Sequence, residues 1–143
     1  MTEGEPQLVP ELAVLDLTAS LRFWRDLVGF DVSYTRIEEG FAYLVLGRAH
    51  LMLDQIGVGR TWRTGELDVP LGRGVNLQIG VPSLEEPLQR LAAARWSLFL
   101  EPEEKWYRTG KQEAGVGQFL VQDPDGYLLR LQSSIGTRTA PQD

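Results

Sequence analysis

The feature that most constrains this chain is an order of elements that occurs twice. Alternating hydrophobic residues and turn residues predict a strand, a helix and three strands in each half of the chain. The predicted helices begin at Thr18 and at Ser83, where Ser83 and Glu86 form a capping-box pattern. The two halves share little sequence, so the repeat is one of topology. It predicts one domain over the whole chain, built from two modules at about residues 8–56 and 74–133.

Apolar periodicity, glycines and prolines place the individual elements. The first module is predicted to contain a helix at residues 18–28 and strands at 8–15, 31–36, 41–46 and 50–55. The second is predicted to contain a helix at 83–94 and strands at 75–81, 96–100, 117–122 and 127–132. Long loops are expected at 56–74 and 102–114. Loops of this length inside a compact domain are often functional.

Alternation along the strands separates an apolar face from a mixed face. In the strand at 50–55, Leu51 and Leu53 oppose His50, Met52 and Asp54. The apolar faces suit contact with the helices, which leaves the mixed faces to line a second surface or to contact water. The pattern predicts an α+β fold, in which two curved mixed sheets enclose a cavity and carry the helices on their outer faces.

Composition excludes several classes of function. The 143 residues carry a net charge of −6, which lacks the basic footprint of nucleic-acid binding. Neither a membrane span nor an apolar leader is visible, so we expect a cytoplasmic protein without a membrane partner. The absence of Cys removes disulfides, thiolate nucleophiles and zinc–thiolate sites. The acidic excess lies mostly in the first half, and it suits either solubility or attraction of a cationic ligand.

Candidate ligand-binding residues are the polar and aromatic side chains on the mixed faces and in the two long loops. Loop aromatics offer flat, rigid contact surfaces, although packing within the loop or against a partner subunit explains them equally well. The lone His50 has no adjacent Ser or Cys to activate and no triad pattern is visible, so no catalytic residue is predicted. Carboxylates here could attract a cation or act as an acid–base pair. The candidate set is Glu11, Phe41, Tyr43, His50, Met52, Asp54, Trp62, Asn76, Trp106, Tyr107 and Arg130.

Three segments resemble the glyoxalase/bleomycin-resistance/extradiol-dioxygenase superfamily, also called the vicinal oxygen chelate superfamily. They are LDLTASLRFWRDLVGF (15–30), YLVLGRAHLMLD (43–54) and GQFLVQDPDGYLLRL (117–131), in which the DPDG turn is the most specific part. The resemblance covers about residues 9–133. It implies the same five-element module twice, and it implies pairing into dimers. Residues 103–130 resemble bleomycin-resistance proteins most closely.

The same resemblance bears on metal binding. Metal-dependent relatives carry His and Glu at four equivalent positions, which the resemblance places at Val9, Met52, Asn76 and Arg130. Val has no donor atom, Met is a soft ligand and Arg is a permanent cation. If the carried-over register is shifted by two residues, only Glu11, His50 or Asp54 is brought to these positions. The resemblance therefore implies a member without a catalytic metal or other cofactor.

Together these observations predict a homodimer that sequesters a small molecule, most closely a bleomycin-type antibiotic. Such a protein would confer antibiotic resistance by lowering the free drug concentration, with no bond made or broken. One alternative is a metal-dependent lyase, isomerase or dioxygenase of the same superfamily with a non-standard site. Another is a module that binds other proteins.

Overall fold

The computed structural model describes residues 5–141, and the chain divides into two compact units. The first unit runs to Leu71 and also takes in the turn Asp123–Gly126. The second consists of Gly72–Gln122 and the residues from Tyr127 onward. Each unit contains one four-stranded mixed sheet, which confirms the α+β class and the repeated order of elements. No helix among residues 5–141 is long and apolar enough to cross a membrane.

The first unit follows the predicted order of a strand, a helix and three strands. Its strands are β1 (Glu11–Val14), β2 (Asp31–Arg36), β3 (Phe41–Leu46) and β4 (Ala49–Gln55). Helix α1 (Leu17–Leu21) continues as a π-helical stretch, Arg22–Val28. The sheet order is β1-β4-β3-β2, with β1 parallel to β4 and the other pairs antiparallel. The predicted bounds of β2 and β3 are confirmed to the residue.

The start of the first helix differs from the prediction. The N-cap is Asp16, whose carboxylate accepts hydrogen bonds from the backbone nitrogens of Thr18 at 3.0 Å and Ala19 at 3.3 Å. Thr18 was predicted as the N-cap, and this is wrong because the carboxylate two residues earlier already satisfies these amides. Gly29 ends the helical segment in a left-handed conformation with φ of 111°, as the sequence indicated.

The second unit has the same order of elements. Its strands are β5 (Asn76–Gly80), β6 (Leu100–Thr109), β7 (Gln112–Gln122) and β8 (Leu128–Thr139), and its helix is α2 (Glu85–Ala93). The sheet order is β5-β8-β7-β6, with β5 parallel to β8. The helix begins two residues after Ser83, whose Oγ accepts a hydrogen bond from the Glu85 nitrogen at 3.1 Å. The N-cap is Leu84, so the prediction of Ser83 as the N-cap is wrong by one position, although Ser83 still satisfies an amide of the first turn.

Two expectations for the second unit were wrong. The polar segment 102–114 is not a loop, because β6 and β7 form a long hairpin that turns at Gly110, where φ is 79°. The short strand expected at 96–100 does not form, since β6 begins only at Leu100. Trp106 and Tyr107 consequently lie on a strand. Their strand is at the edge of the sheet, where charged residues are common and the apolar alternation that marks a strand is weak.

Each sheet has one buried apolar face. In the first unit this face is formed by Leu12, Val14, Ala42, Leu44, Leu51 and Leu53. The helical segment contributes Phe23 and Trp24, which are 1% and 0% exposed, and α1 contacts β4. In the second unit the buried set is Ile79, Phe119, Val121, Leu129 and Leu131. The opposite face of each sheet is therefore the one that can carry polar and aromatic side chains.

Candidate functional site

Strand register brings six of the predicted residues to one face of the first sheet. Glu11 lies opposite Met52 across β1 and β4, and Tyr43 lies opposite Met52 across β3 and β4. Directly paired residues point to the same side of a sheet, and residues two apart on a strand do so as well. The face therefore carries Glu11, Phe41, Tyr43, His50, Met52 and Asp54.

A cavity of about 280 Å³ lies in the first unit. Four of the predicted residues line it: Glu11, Phe41, Asp54 and Trp62. Its remaining charged residues are Arg36, Glu39 and Arg60, which the sequence analysis did not single out. The volume is just below the range of about 300–1,000 Å³ that is usual for small-molecule sites. It suits a small ligand or one end group of a larger ligand.

Two guanidinium groups stack on the aromatic rings of the cavity. The Cζ atom of Arg36 lies 3.9 Å from the centroid of the Phe41 ring, and Cζ of Arg60 lies 3.9 Å from the Trp62 ring. Arg36 also forms a salt bridge with Glu39. Stacking on a ring leaves the N–H groups at the edge of a guanidinium able to donate. The cavity thus combines flat apolar surfaces with hydrogen-bond donors.

Two of the three carboxylates that line the cavity, Glu11 and Asp54, are only partly compensated, because burial outweighs the lowering effect of Arg36 on each pKa. Burial raises the pKa of Asp54, which is 7% exposed, and the negative charge of Glu39 adds to the rise. Burial also raises the pKa of Glu11, and the neighbouring charge of Asp54 adds to it. Neither Glu11 nor Asp54 forms a salt bridge within the described part of the chain. Both would be stabilised as anions by a nearby cation.

The loop after β4 reaches the cavity through a close backbone contact at Gly59. A Cβ atom at this position would lie 2.6 Å from the carbonyl oxygen of Glu39, closer than packed atoms tolerate. Only glycine permits this approach. The contact places the neighbouring Arg60, and with it Trp62, beside the strands that carry the carboxylates.

Two of the remaining predicted residues on this face contact each other. The hydroxyl of Tyr43 lies 2.7 Å from Nδ1 of His50, a hydrogen-bonding distance. Tyr34 stacks on Tyr43, with 5.2 Å between ring centroids and 13° between ring planes. Tyr43 is thus the hydroxyl partner of His50, a pairing that the sequence analysis did not predict. Strand pairing of 43 with 52 and 45 with 50 was the signal that could have revealed it.

The predicted residues of the second unit divide between two sheet faces. Gln78 lies opposite Arg130, and Arg130 Nη2 donates to Gln78 Oε1 at 2.8 Å. Asn76 is two residues before Gln78 and shares that face. Tyr107 reaches the same face through a hydrogen bond with Gln118. Its neighbour Trp106 packs on Gly115, and Cζ of Arg138 lies 4.0 Å from the centroid of the Trp106 ring.

Gln118 is a buried polar residue that the sequence analysis missed. It is 3% exposed, and its amide nitrogen donates to the Tyr107 hydroxyl at 2.7 Å and to Glu103 Oε1 at 3.0 Å. The register places Gln118 opposite Glu103 on β6 and opposite Gln132 on β8. Gln118 therefore joins the edge strand to the face that carries Arg130.

The four side chains that the resemblance assigns to metal-ligand positions do not fit a divalent metal ion. Val9 precedes β1 and has no donor, Met52 offers only a thioether, and Arg130 is a hydrogen-bonded cation. Asn76 alone supplies an oxygen. Among residues 5–141, no group of three or more His, Cys, Asp and Glu side chains could hold a metal ion.

Comparison with known proteins finds no matching family model and no matching curated protein. Solved structures do match. TioX from Micromonospora sp. ML1 has a TM-score of 0.68 and 19% identity, covering 91% of this chain and 99% of that one. A glyoxalase/bleomycin resistance protein/dioxygenase from Alicyclobacillus acidocaldarius has a TM-score of 0.59 and 11% identity, covering 94% and 96%. These two likenesses establish the fold.

A glyoxalase/bleomycin resistance protein/dioxygenase superfamily member from Vibrio splendidus 12B01 is 39% identical to this chain. The match covers 87% of this chain and 95% of that one, with a TM-score of 0.40.

Proposed function

We propose that this chain, which has the fold of the glyoxalase/bleomycin resistance protein/dioxygenase superfamily, is a member that binds and sequesters a small molecule. The observation that carries the proposal is the cavity of about 280 Å³ in the first unit. It is lined by the rings of Phe41 and Trp62 and by the carboxylates of Glu11 and Asp54, which form no salt bridge among the described residues. Flat apolar walls with a few convergent polar groups are typical of small-molecule sites.

The chemistry of the metal-ligand positions supports binding rather than metal-dependent catalysis. Polarising a substrate oxygen or activating a water requires a cation held by several hard or imidazole donors. Met52 and Arg130 supply a soft sulfur and a positive charge at two of these positions. A protein that only sequesters its ligand needs apolar surface and suitably placed polar groups, and the cavity lining contains both.

The proposed ligand is a bleomycin-type antibiotic. Residues 103–130 resemble bleomycin-resistance proteins, and the net charge of the chain, −6, favours association with a cationic drug. The cavity is too small for a whole glycopeptide, so one end of the drug would enter it and the rest would lie outside. The resemblance to dimeric superfamily members leads us to propose a homodimer. Sequestration would protect the host by lowering the concentration of free drug.

The direct test is a titration with bleomycin, both metal-free and loaded with copper, followed by calorimetry and tryptophan fluorescence. We expect heat of binding and quenching of Trp62, which is 68% exposed and lines the cavity. The Trp62→Phe variant should lose the quenching, whereas Trp96→Phe, in the second unit, should retain it. No heat and no quenching at tens of micromolar drug would exclude bleomycin as the ligand.

Two further measurements test the other parts of the proposal. Sedimentation equilibrium should give twice the monomer mass, and a monomer at micromolar concentration would contradict the homodimer. Metal analysis of protein purified without chelator should give less than stoichiometric metal. Stoichiometric Ni, Zn, Mn or Fe would instead favour a lyase, isomerase or dioxygenase.

A further inference from the structure

We infer that the cavity of the first unit selects an end group that carries a protonated amine and a carbonyl oxygen on a flat hydrophobic frame. This inference rests on the proposed function and specifies the chemistry of the ligand. Three observations carry it: the unpaired carboxylates, the unpaired Arg60 and the charge balance of the lining.

The protonated amine of the ligand is inferred from the carboxylates that line the cavity. Of the three carboxylates in the lining, Glu39 is paired with Arg36, which leaves Glu11 and Asp54 without an ion pair among the described residues. Asp54 is almost completely buried. Burial and the charge of Asp54 raise the pKa of Glu11, burial and the charge of Glu39 raise that of Asp54, and Arg36 offsets these effects only in part. An ammonium group between Glu11 and Asp54 would stabilise the two carboxylates as anions, and its N–H groups would donate hydrogen bonds to them.

The carbonyl oxygen of the ligand is inferred from the position of the Arg60 side chain. Its guanidinium stacks on Trp62 and forms no salt bridge within the described part of the chain, although it lines the same cavity as three carboxylates. A stacked guanidinium keeps its edge N–H groups for an acceptor in the plane. A ligand oxygen beside Trp62 would therefore be held by Arg60 while the ring of the ligand contacts the indole.

The charge balance favours a neutral carbonyl group over a carboxylate. The lining contains three carboxylates and two guanidinium groups, an excess of one negative charge. A ligand that carries one ammonium and an uncharged carbonyl cancels this excess. A zwitterion would satisfy Arg60 but would leave the excess in place. The volume of about 280 Å³ accommodates one aromatic ring with both groups attached.

The experiment uses four small probes that share one aromatic frame. They are phenylalanine amide, with amine and carbonyl; phenethylamine, with the amine alone; 3-phenylpropionamide, with the carbonyl alone; and phenylalanine, the zwitterion. Dissociation constants would come from Trp62 fluorescence at low salt. We expect phenylalanine amide to bind about tenfold more tightly than phenethylamine or 3-phenylpropionamide, because each lacks one charge-assisted hydrogen bond. Phenylalanine should also bind more weakly than its amide.

Variants assign each group of the ligand to its residue. Arg60→Gln should abolish the advantage of phenylalanine amide over phenethylamine and leave the affinity for phenethylamine nearly unchanged. Asp54→Asn should abolish the affinity advantage of phenylalanine amide over 3-phenylpropionamide. Arg63→Gln is the matched control, because Arg63 is exposed on the same loop and does not line the cavity. If Asp54→Asn lowers the melting temperature of the protein, Glu11→Gln, at an exposed residue, replaces it.

The possible outcomes separate this inference from the proposed function. Three results would overturn the inference. The first is equal affinity for all four probes, and the second is no binding at 10 mM, roughly the weak limit for such fragments. The third is an equal effect of Arg60→Gln on every probe. Probes that bind in the expected order to a protein that does not bind bleomycin would support the inference and exclude that drug. Bleomycin binding that Arg60→Gln and Asp54→Asn leave unchanged would support sequestration and overturn the inference.

Discussion

The indole Nε1 of Trp24 donates a hydrogen bond of 3.1 Å to Oδ2 of Asp123, and both side chains are buried. The two residues are 99 positions apart in the chain, yet both belong to the first unit. The other oxygen of Asp123 accepts a hydrogen bond from the Asp125 nitrogen at 2.9 Å, which fixes the turn Asp123–Gly126. The most specific motif of the sequence is therefore an anchor for the first helical segment.

Asp123→Ala should lower the free energy of unfolding by about 2–3 kcal/mol, because it leaves the buried Trp24 N–H without its acceptor and removes the turn hydrogen bond. Urea denaturation followed by circular dichroism measures this loss. Asp68→Ala, at an exposed loop residue, is the control and should change the free energy by less than about 0.5 kcal/mol. Equal effects of the two substitutions would show that the hydrogen bond contributes nothing.

Asp125→Asn should change how stability depends on pH. Burial raises the pKa of Asp125 above its ordinary value of 3.8, so the native state binds this proton more tightly than the unfolded chain does. Stability conferred by that proton is present at low pH and is lost as the pH rises through the native pKa. Asn does not ionise, and its oxygen can still accept the hydrogen bond from the Leu15 nitrogen.

The free energy of unfolding of Asp125→Asn relative to the natural chain should therefore rise as the pH increases from about 4 through the raised native pKa of Asp125. Urea titrations at several pH values measure this difference. Asp68→Asn is the control and should show none of this pH dependence. A difference that stays constant, or that falls as the pH rises, would contradict the prediction.

Gly59→Ala should displace the loop that carries Arg60 and Trp62, because the new Cβ would lie 2.6 Å from the carbonyl oxygen of Glu39. We expect a loss of about 1–3 kcal/mol in unfolding free energy, a changed Trp62 emission and weaker ligand binding. Gly65→Ala is the control on the same loop, since a Cβ there meets no atom within 4 Å. A Gly59→Ala protein with unchanged fluorescence and binding would mean that the contact does not position the loop.

Gln118→Glu should destabilise the second unit increasingly as the pH rises above about 4.5. The substitution places a buried carboxylate 3.0 Å from Glu103 Oε1, where an amide nitrogen now donates. At low pH the introduced group is protonated and can donate in its place, so stability should recover. Thermal melts at pH 4 and pH 7 measure the effect. Gln112→Glu, at the exposed start of the same strand, should show no such dependence.

The sequence predicted the elements best where a strand-like run lies between turn signals. In Asp31–Arg36 apolar and polar residues alternate, Phe41–Leu46 is apolar throughout, and glycines at 29, 40 and 47 bound the two strands. The β6–β7 hairpin was missed because its outer strand is at a sheet edge, and its residues between Leu100 and Trp106 are mainly acidic. The glycine after Thr109 was the available signal for the turn.

The candidate site could be predicted as far as strand alternation reaches. Alternation is local, so it placed Glu11, Met52 and Asp54 on the correct face from their positions alone. It gave no information on the loop after β4, where Arg60 approaches the strands through the tertiary contact of Gly59. Arg36 was likewise overlooked, because its stacking on Phe41 depends on the pairing of β2 with β3.

The position of the Asp123–Gly126 turn has a consequence for biosynthesis. The first unit is discontinuous, so a nascent polypeptide that has exposed only the residues up to Leu71 lacks the carboxylate that accepts from Trp24. Its folding can finish only after most of the remaining chain has emerged from the ribosome. A gene truncated between the two halves would therefore encode a first unit in which the Trp24 indole lacks its acceptor, Asp123. The first half of the gene thus depends on the second half to encode a complete first unit.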